Sequence, residues 1–98
     1  MRPLNSKEEE LLSKLLDIAG LESNLSELKV TELKDGEMGS LAIGENYKKR
    51  SFGKQVAEYQ FTDLDGIEVS CTLNLDTEGN LYELDIFKAD FSPLKELN

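Results

Sequence analysis

Three stretches in the second half of the chain alternate between apolar and polar residues with a period of two, the signature of strands with one buried face. In the first, from Gln55 to Phe61, Ala57, Tyr59 and Phe61 point one way while Glu58 and Gln60 point the other. In the second, Ile67, Val69, Cys71, Leu73 and Leu75 share a face opposite Glu68, Ser70, Thr72 and Asn74. In the third, Tyr82, Leu84 and Ile86 alternate with Glu83, Asp85 and Phe87, so Phe87 is the apolar exception on the polar side. Residues paired across an antiparallel ladder must share a face, which constrains the turns. A three-residue loop with Gly66 left-handed sets Phe61 opposite Val69 and Tyr59 opposite Cys71, whereas a two-residue Asp65-Gly66 turn would mix the faces. A four-residue loop from Thr77 to Asn80 sets Leu75 opposite Tyr82 and Leu73 opposite Leu84. A three-residue loop there would bring Leu73 against Glu83 and is rejected.

A different period governs the start of the chain. Leu11, Leu12, Leu15, Leu16 and Ala19 recur at helical spacing, and Ser6 followed by Glu9 reads as a capping box. Glu8, Glu9 and Glu10 fall in the first turn, where the helix dipole favours negative charge, and Gly20 supplies the stop. From Leu21 to Ser26 the turn-forming Ser23, Asn24 and Ser26 predict a loop with one helical turn. Leu28 and Val30 then alternate with Lys29 and Thr31, and Leu41 and Ile43 with Ser40 and Ala42, on either side of Asp35-Gly36. A two-residue turn at that pair sets Val30 opposite Leu41 and Leu28 opposite Ile43, with Met38 and Gly39 continuing the strand. Gly44 to Gly53 is an irregular connection carrying the basic run Lys48-Lys49-Arg50, read as solvated or paired with the chain's own carboxylates. Pro93 ends the last ladder, and Phe91 and Leu94 are expected to fold back onto the helix or a sheet edge, with the alternative that they are exposed anchors for a partner. The expected architecture is a single α+β domain over residues 1–98: an N-terminal helix packed on a five-stranded, largely antiparallel β-sheet, built as a hairpin plus a three-stranded meander.

Composition narrows the chemistry. The 98 residues include no histidine, which removes Ser-His and Cys-His nucleophile pairs, histidine bases and most zinc sites. The single cysteine, Cys71, has no internal disulfide partner and alternates with core residues, so it reads as a small buried hydrophobe. Asp63-x-Asp65-Gly66 resembles part of a calcium loop, but in that register the first and last ligand positions would be Phe61 and Thr72. No metal, no cofactor and no catalytic residue is therefore expected, and a small sheet under one helix offers little depth for hydrolysis by paired carboxylates. No apolar run approaches the roughly 20 residues that span a bilayer. Met1-Arg2-Pro3 leads directly into a charged segment, so the expectation is a cytoplasmic protein with no signal peptide and no membrane partner.

Charge is distributed unevenly. The formal net charge is −9, which argues against binding nucleic acid through its phosphates. Residues 1–54 hold 10 acidic and 9 basic side chains, net −1, while residues 55–98 hold 10 acidic and 2 basic, net −8. Glu58, Glu68, Glu83 and Asp85 all fall on the non-core face of the meander, where the register is expected to gather them close together. With Asp63 and Asp65 in the first turn they form the candidate partner-binding set, suited to steering and matching a basic protein.

Several stretches resemble a family of small bacterial proteins of unknown function: Met1-Arg2-Pro3-Leu4, Gly39-Ser40-Leu41, Phe61-Thr62-Asp63-Leu64-Asp65-Gly66, and Glu83-Leu84-Asp85-Ile86-Phe87-Lys88-Ala89-Asp90-Phe91-Ser92-Pro93-Leu94. The resemblance runs nearly end to end and brings no catalytic residues. It implies a stand-alone cytoplasmic protein, of a kind that includes small acidic immunity proteins neutralising a toxin. The expected function is accordingly protein binding, concretely an immunity-type inhibitor covering the basic active-site cleft of a cognate toxin, a nuclease. The alternative is a structural or homo-oligomeric domain that associates through a free sheet edge and has no toxin partner.

Overall fold

The computed structural model describes residues 1–97. In chain order the elements are β1 (Arg2–Pro3), α1 (Ser6–Ala19), β2 (Lys29–Glu32), β3 (Leu41–Ile43), β4 (Phe52–Thr62), β5 (Glu68–Asp76) and β6 (Leu81–Lys88), with single 3₁₀ turns at Leu25–Glu27 and Tyr47–Lys49. The strands form one antiparallel sheet in the order β1-β2-β3-β6-β5-β4, and α1 packs on one face of it. The α+β expectation holds, with six strands where five were expected. The sixth is β1, whose Arg2 and Pro3 lie opposite Val30 and Lys29. Proline is tolerated there because an edge strand does not need every N–H for a ladder.

The leucine stripe makes α1 a core element: Leu11, Leu12, Leu15 and Leu16 are buried against the sheet, each contributing about 1.5–3 kcal/mol. The N-cap lies one residue before the expected one, and the helix begins at Ser6. Asn5, not Ser6, is the N-cap: its side chain accepts from the Glu8 N–H at 2.9 Å, and the Glu8 carboxylate accepts from the Asn5 N–H at 2.9 Å. Glu8 takes this role over Glu9 because Arg2 clamps its carboxylate from β1 through two bonds of 2.7 and 2.8 Å. Gly20 ends the helix at φ 71° in the left-handed region, as expected.

The first hairpin is longer than a two-residue turn. Val30 lies opposite Ile43 and Glu32 opposite Leu41, shifted by two positions from the expected register, so the faces still agree. Leu28 precedes the strand, and Met38 and Gly39 belong to the loop. Asp35 organises that loop by accepting from the N–H groups of Met38 at 3.1 Å and Ser40 at 2.9 Å. The Ser40 hydroxyl in turn accepts from the Ile86 N–H at 2.9 Å, so a side chain extends the β3–β6 ladder where the backbone leaves it.

In the meander the first turn follows expectation: Phe61 pairs with Val69, Tyr59 with Cys71, and Gly66 has φ 81°. The second turn does not. The Asp76 N–H donates to the Asn80 carbonyl, so three residues form the loop and Leu75 pairs with Leu81 rather than Tyr82. An irregularity after Asn74 then restores Leu73 opposite Leu84. The rejected loop length is thus compatible with the expected core register because one extra residue is absorbed on β6. The helix-side core joins Leu84, Ile86, Leu73, Cys71 and Val69 to α1. Tyr82 is outside this core and stacks on Tyr47 at 4.8 Å between ring centroids.

Lys88 completes the alternation of β6 and is fully buried on the helix side, opposite Val69. Its ammonium bonds Asp63 at 2.9 Å, Asp65, and the Pro93 carbonyl at 3.1 Å. The Asp63 carboxylate also accepts from the N–H groups of Lys95 at 2.7 Å and Glu96 at 3.0 Å. This network ties the tail to the β4–β5 turn. Leu94 packs against the core as expected, whereas Phe91 stays 68% exposed.

Candidate functional site

The single helix covers one face of the sheet and leaves the outer face of β4, β5 and β6 open. Register fixes what that face displays. Glu58, Thr72 and Asp85 form one row across the three strands, with Asp85 also accepting from the Ser40 hydroxyl at 3.2 Å. Gln60, Ser70 and Phe87 form the next row, and Thr62 with Glu68 the one beyond. In the other direction Gln55, Asn74, Glu83 and Ala42 are aligned.

The four carboxylates therefore share a face but do not cluster. Glu58 and Asp85 stand two strands apart, roughly 10 Å, and Glu68 and Glu83 lie six residues apart along the strand direction, roughly 20 Å. Alternation placed them on one side correctly; it carried no information on their spacing, which depends on how each row aligns. Glu83 is also engaged internally, accepting from the Tyr47 hydroxyl at 2.7 Å and the Asn74 amide at 3.0 Å. Burial first, and then this carboxylate, raise the Tyr47 pKa well above the usual phenol range. Glu58, Glu68 and Asp85 are exposed.

Asp63 and Asp65, the other two candidates, are built into the fold. Asp63 is buried. Burial alone would raise its pKa, but the Lys88 ammonium and the N–H groups of Lys95, Leu64 and Glu96 overcome that and hold it far below the usual carboxylate range. Asp65 is bound to the same ammonium. Asp63 accordingly contributes nothing to a surface patch.

The basic run behaves as two parts. Arg50 turns inward, pairs with Asp76 at 3.2 Å, donates to the Leu81 carbonyl at 3.0 Å and to the Ile43 carbonyl, and lies over the Tyr82 ring. Lys48 and Lys49 are exposed. This loop closes the outer face at its β3 end, which is why Ala42 is buried although its alternation points outward.

The most conspicuous feature of the open face is aromatic. Phe87 and Phe91 are 43% and 68% exposed and meet edge to face, with centroids 5.0 Å apart. Phe91 holds φ 63°, a left-handed backbone that costs a side chain-bearing residue roughly 1–2 kcal/mol. The turn is maintained by the Phe91 N–H to the Lys88 carbonyl at 2.9 Å and by Asp90 accepting from Ser92. Phe87 lies between the row of Asp85 and the row of Glu68, so the pair is flanked by exposed carboxylates. The available signal was Phe87 itself, the one apolar residue on the polar side of its strand; Phe91 gave none, because nothing local distinguishes an aromatic that folds back from one that turns outward.

Among the described residues no group of three or more Cys, Asp and Glu is arranged to hold a metal ion, and no helix is long and apolar enough to cross a membrane. A family described as a domain of unknown function, DUF6984, matches residues 1–98. The chain belongs to this family. The match spans all the stretches on which the resemblance rests, including Phe61 to Gly66 and Glu83 to Leu94, which the Lys88 network brings into contact. No curated protein and no solved structure matches the chain.

Proposed function

We propose that this DUF6984 protein is a protein-binding module that presents the outer face of β4, β5 and β6 to a basic partner. The observation that carries the reading is the exposed Phe87–Phe91 pair flanked by Asp85 and Glu68, on the part of the outer face beyond the loop that carries Tyr47. The left-handed backbone at Phe91 holds the ring outward in water, and a partner that buries the ring would recover the cost of its exposure. Aromatic anchors within a polar rim are the usual anatomy of an interface. The excess of −8 on residues 55–98 would steer a basic protein towards this face. In its concrete form the module is an immunity-type inhibitor that lays Glu58, Glu68 and Asp85 over the basic cleft of a toxin, a nuclease, where substrate phosphates would lie. The reading assigns no catalytic residue.

The test is recovery of the complex from the native cells with tagged wild-type protein and with two variants, Phe91→Ser and Glu58→Lys/Asp85→Lys. A stoichiometric basic partner, released by salt and lost from both variants, is expected. A partner that both variants retain would place the interface elsewhere. Glu83 is left intact in this test because it holds Tyr47 and Asn74.

A further inference from the structure

β4 is the terminal strand of the sheet and, at 11 residues, its longest. Its pairing with β5 fixes which backbone groups remain free. The Asp63 N–H donates to the Ile67 carbonyl, so Asp63 and Ile67 are a hydrogen-bonded pair. Alternation makes Phe61 with Val69 and Tyr59 with Cys71 pairs of the same kind. The N–H and C=O groups of Glu58, Gln60 and Thr62 consequently point away from β5, to the open edge, and all three residues are exposed. Natural sheets blunt such edges with bulges and charge. The first half of β4 follows that rule, with register shifts between Phe52 and Lys54 and between Gln55 and Ala57. From Ala57 to Thr62 the strand is regular and the edge unguarded.

We infer that this segment pairs with the same segment of a second copy, antiparallel about a two-fold axis at Gln60. The sequence is self-complementary in that register. Gln60 meets Gln60, Glu58 meets Thr62, and Tyr59 meets Phe61, so on the order of six backbone hydrogen bonds form. A register centred on Glu58 sets two carboxylates directly opposite and is disfavoured. One centred on Thr62 carries Glu58 past the end of the strand. The seam gains an aromatic pair on the helix side at each end, built from Tyr59, which is half-buried, and Phe61. With the axis normal to the sheet, both helices lie on one side and both outer faces on the other. The pairing uses the strand edge and leaves Phe87 and Phe91 free; it shares only Glu58 with the proposed partner interface, and Phe91→Ser separates the two.

Each copy carries −9, so the dimer is favoured as salt screens the repulsion, the reverse of the behaviour expected for a basic partner. Sedimentation or light scattering from low salt to about 0.5 M tests this, since the Debye length there shrinks to a few ångströms. The wild-type chain is expected to dimerise, with hydrogen exchange slowed at the Glu58, Gln60 and Thr62 amides. Gln60→Pro removes an N–H that β5 does not use. It should leave a folded monomer, because proline is tolerated where the N–H faces outward. Gln60→Lys places two ammonium groups at the axis and should raise the dimer dissociation constant by about two- to fivefold at matched salt. Phe91→Ser should leave the dimer intact. A wild-type chain that stays monomeric at high salt, or a dimer that neither Gln60 substitution weakens, overturns the inference.

Discussion

Lys88 is a fully buried cation, and its removal should be felt more than that of any exposed charge. Lys88→Met leaves Asp63 buried beside Asp65 with no cation, and the loss of one partner from a buried pair is far more damaging than the absence of both. We expect a large fall in the denaturation midpoint for Lys88→Met, with partial recovery when Asp63→Asn is added, measured by urea unfolding. The same pair sets a pH dependence. Asp63 in the folded chain ionises far below its unfolded value near 3.9. It therefore contributes stability that is complete above about pH 4–5 and is lost as pH falls towards the depressed value. Asp63→Asn should flatten that acid limb. Cys71 acts at the other end of the scale: burial, then the nearby Asp85 charge, push its thiol up to about 12. Stability should decline from about pH 8.5, where the unfolded thiol ionises, and a thiol reagent should label Cys71 only as fast as the chain opens. Part of this was legible in the sequence. Cys71 as a buried hydrophobe follows from alternation alone. Lys88 did not stand out, although the parity that puts Leu84 and Ile86 inward also puts Lys88 inward, and the parity of Phe61 does the same for Asp63. Two opposite charges at inward positions were the signal.

At the scale of elements, what alternation dictates was readable and what depends on a single inserted residue was not. The β4–β5 register was legible because a glycine with positive φ and two apolar faces admit one solution. The β5–β6 turn satisfied the same faces in two ways, and the choice lay in Asp76, whose carboxylate accepts from the N–H groups of Glu78 at 2.8 Å and Asn80 at 3.0 Å and so shapes the shorter loop. The helix start was misplaced by one residue because Ser6 and Asn5 offer equivalent caps locally, and only the Arg2 clamp on Glu8 decides between them. Asn5→Ala should lower stability by about 1 kcal/mol in thermal unfolding, while Ser6→Ala should be nearly neutral. Gly53 gives a sharper test of the β4 bulge. A Cβ there would overlap the Asp76 carbonyl, a backbone group that cannot turn aside, so Gly53→Ala should cost about 1–3 kcal/mol or displace the strand end.

For the whole molecule, fold class and the sidedness of charge were both present in the sequence, because each depends on sums over many residues rather than on any one contact. The candidate surface was legible in its sign and not in its layout: Glu58, Glu68 and Asp85 reached the open face, Asp63 went inside, and Glu83 became a support for Tyr47. The strand order has its own consequence. β6, the latest of the six strands in the chain, lies between β3 and β5 at the middle of the sheet. During synthesis α1 and the β2–β3 hairpin therefore emerge well before the strand that joins them to the meander exists. Until Leu81 to Lys88 is available, β3 has no neighbour on that side and the two halves of the sheet have no common member. Assembly must then await a late, long-range pairing, the class of step that makes sheet proteins slow to fold and leaves hydrophobic edges open meanwhile. A nascent chain stalled after Asn80 should remain sensitive to protease throughout, and gain protection in a single step once β6 has cleared the ribosome.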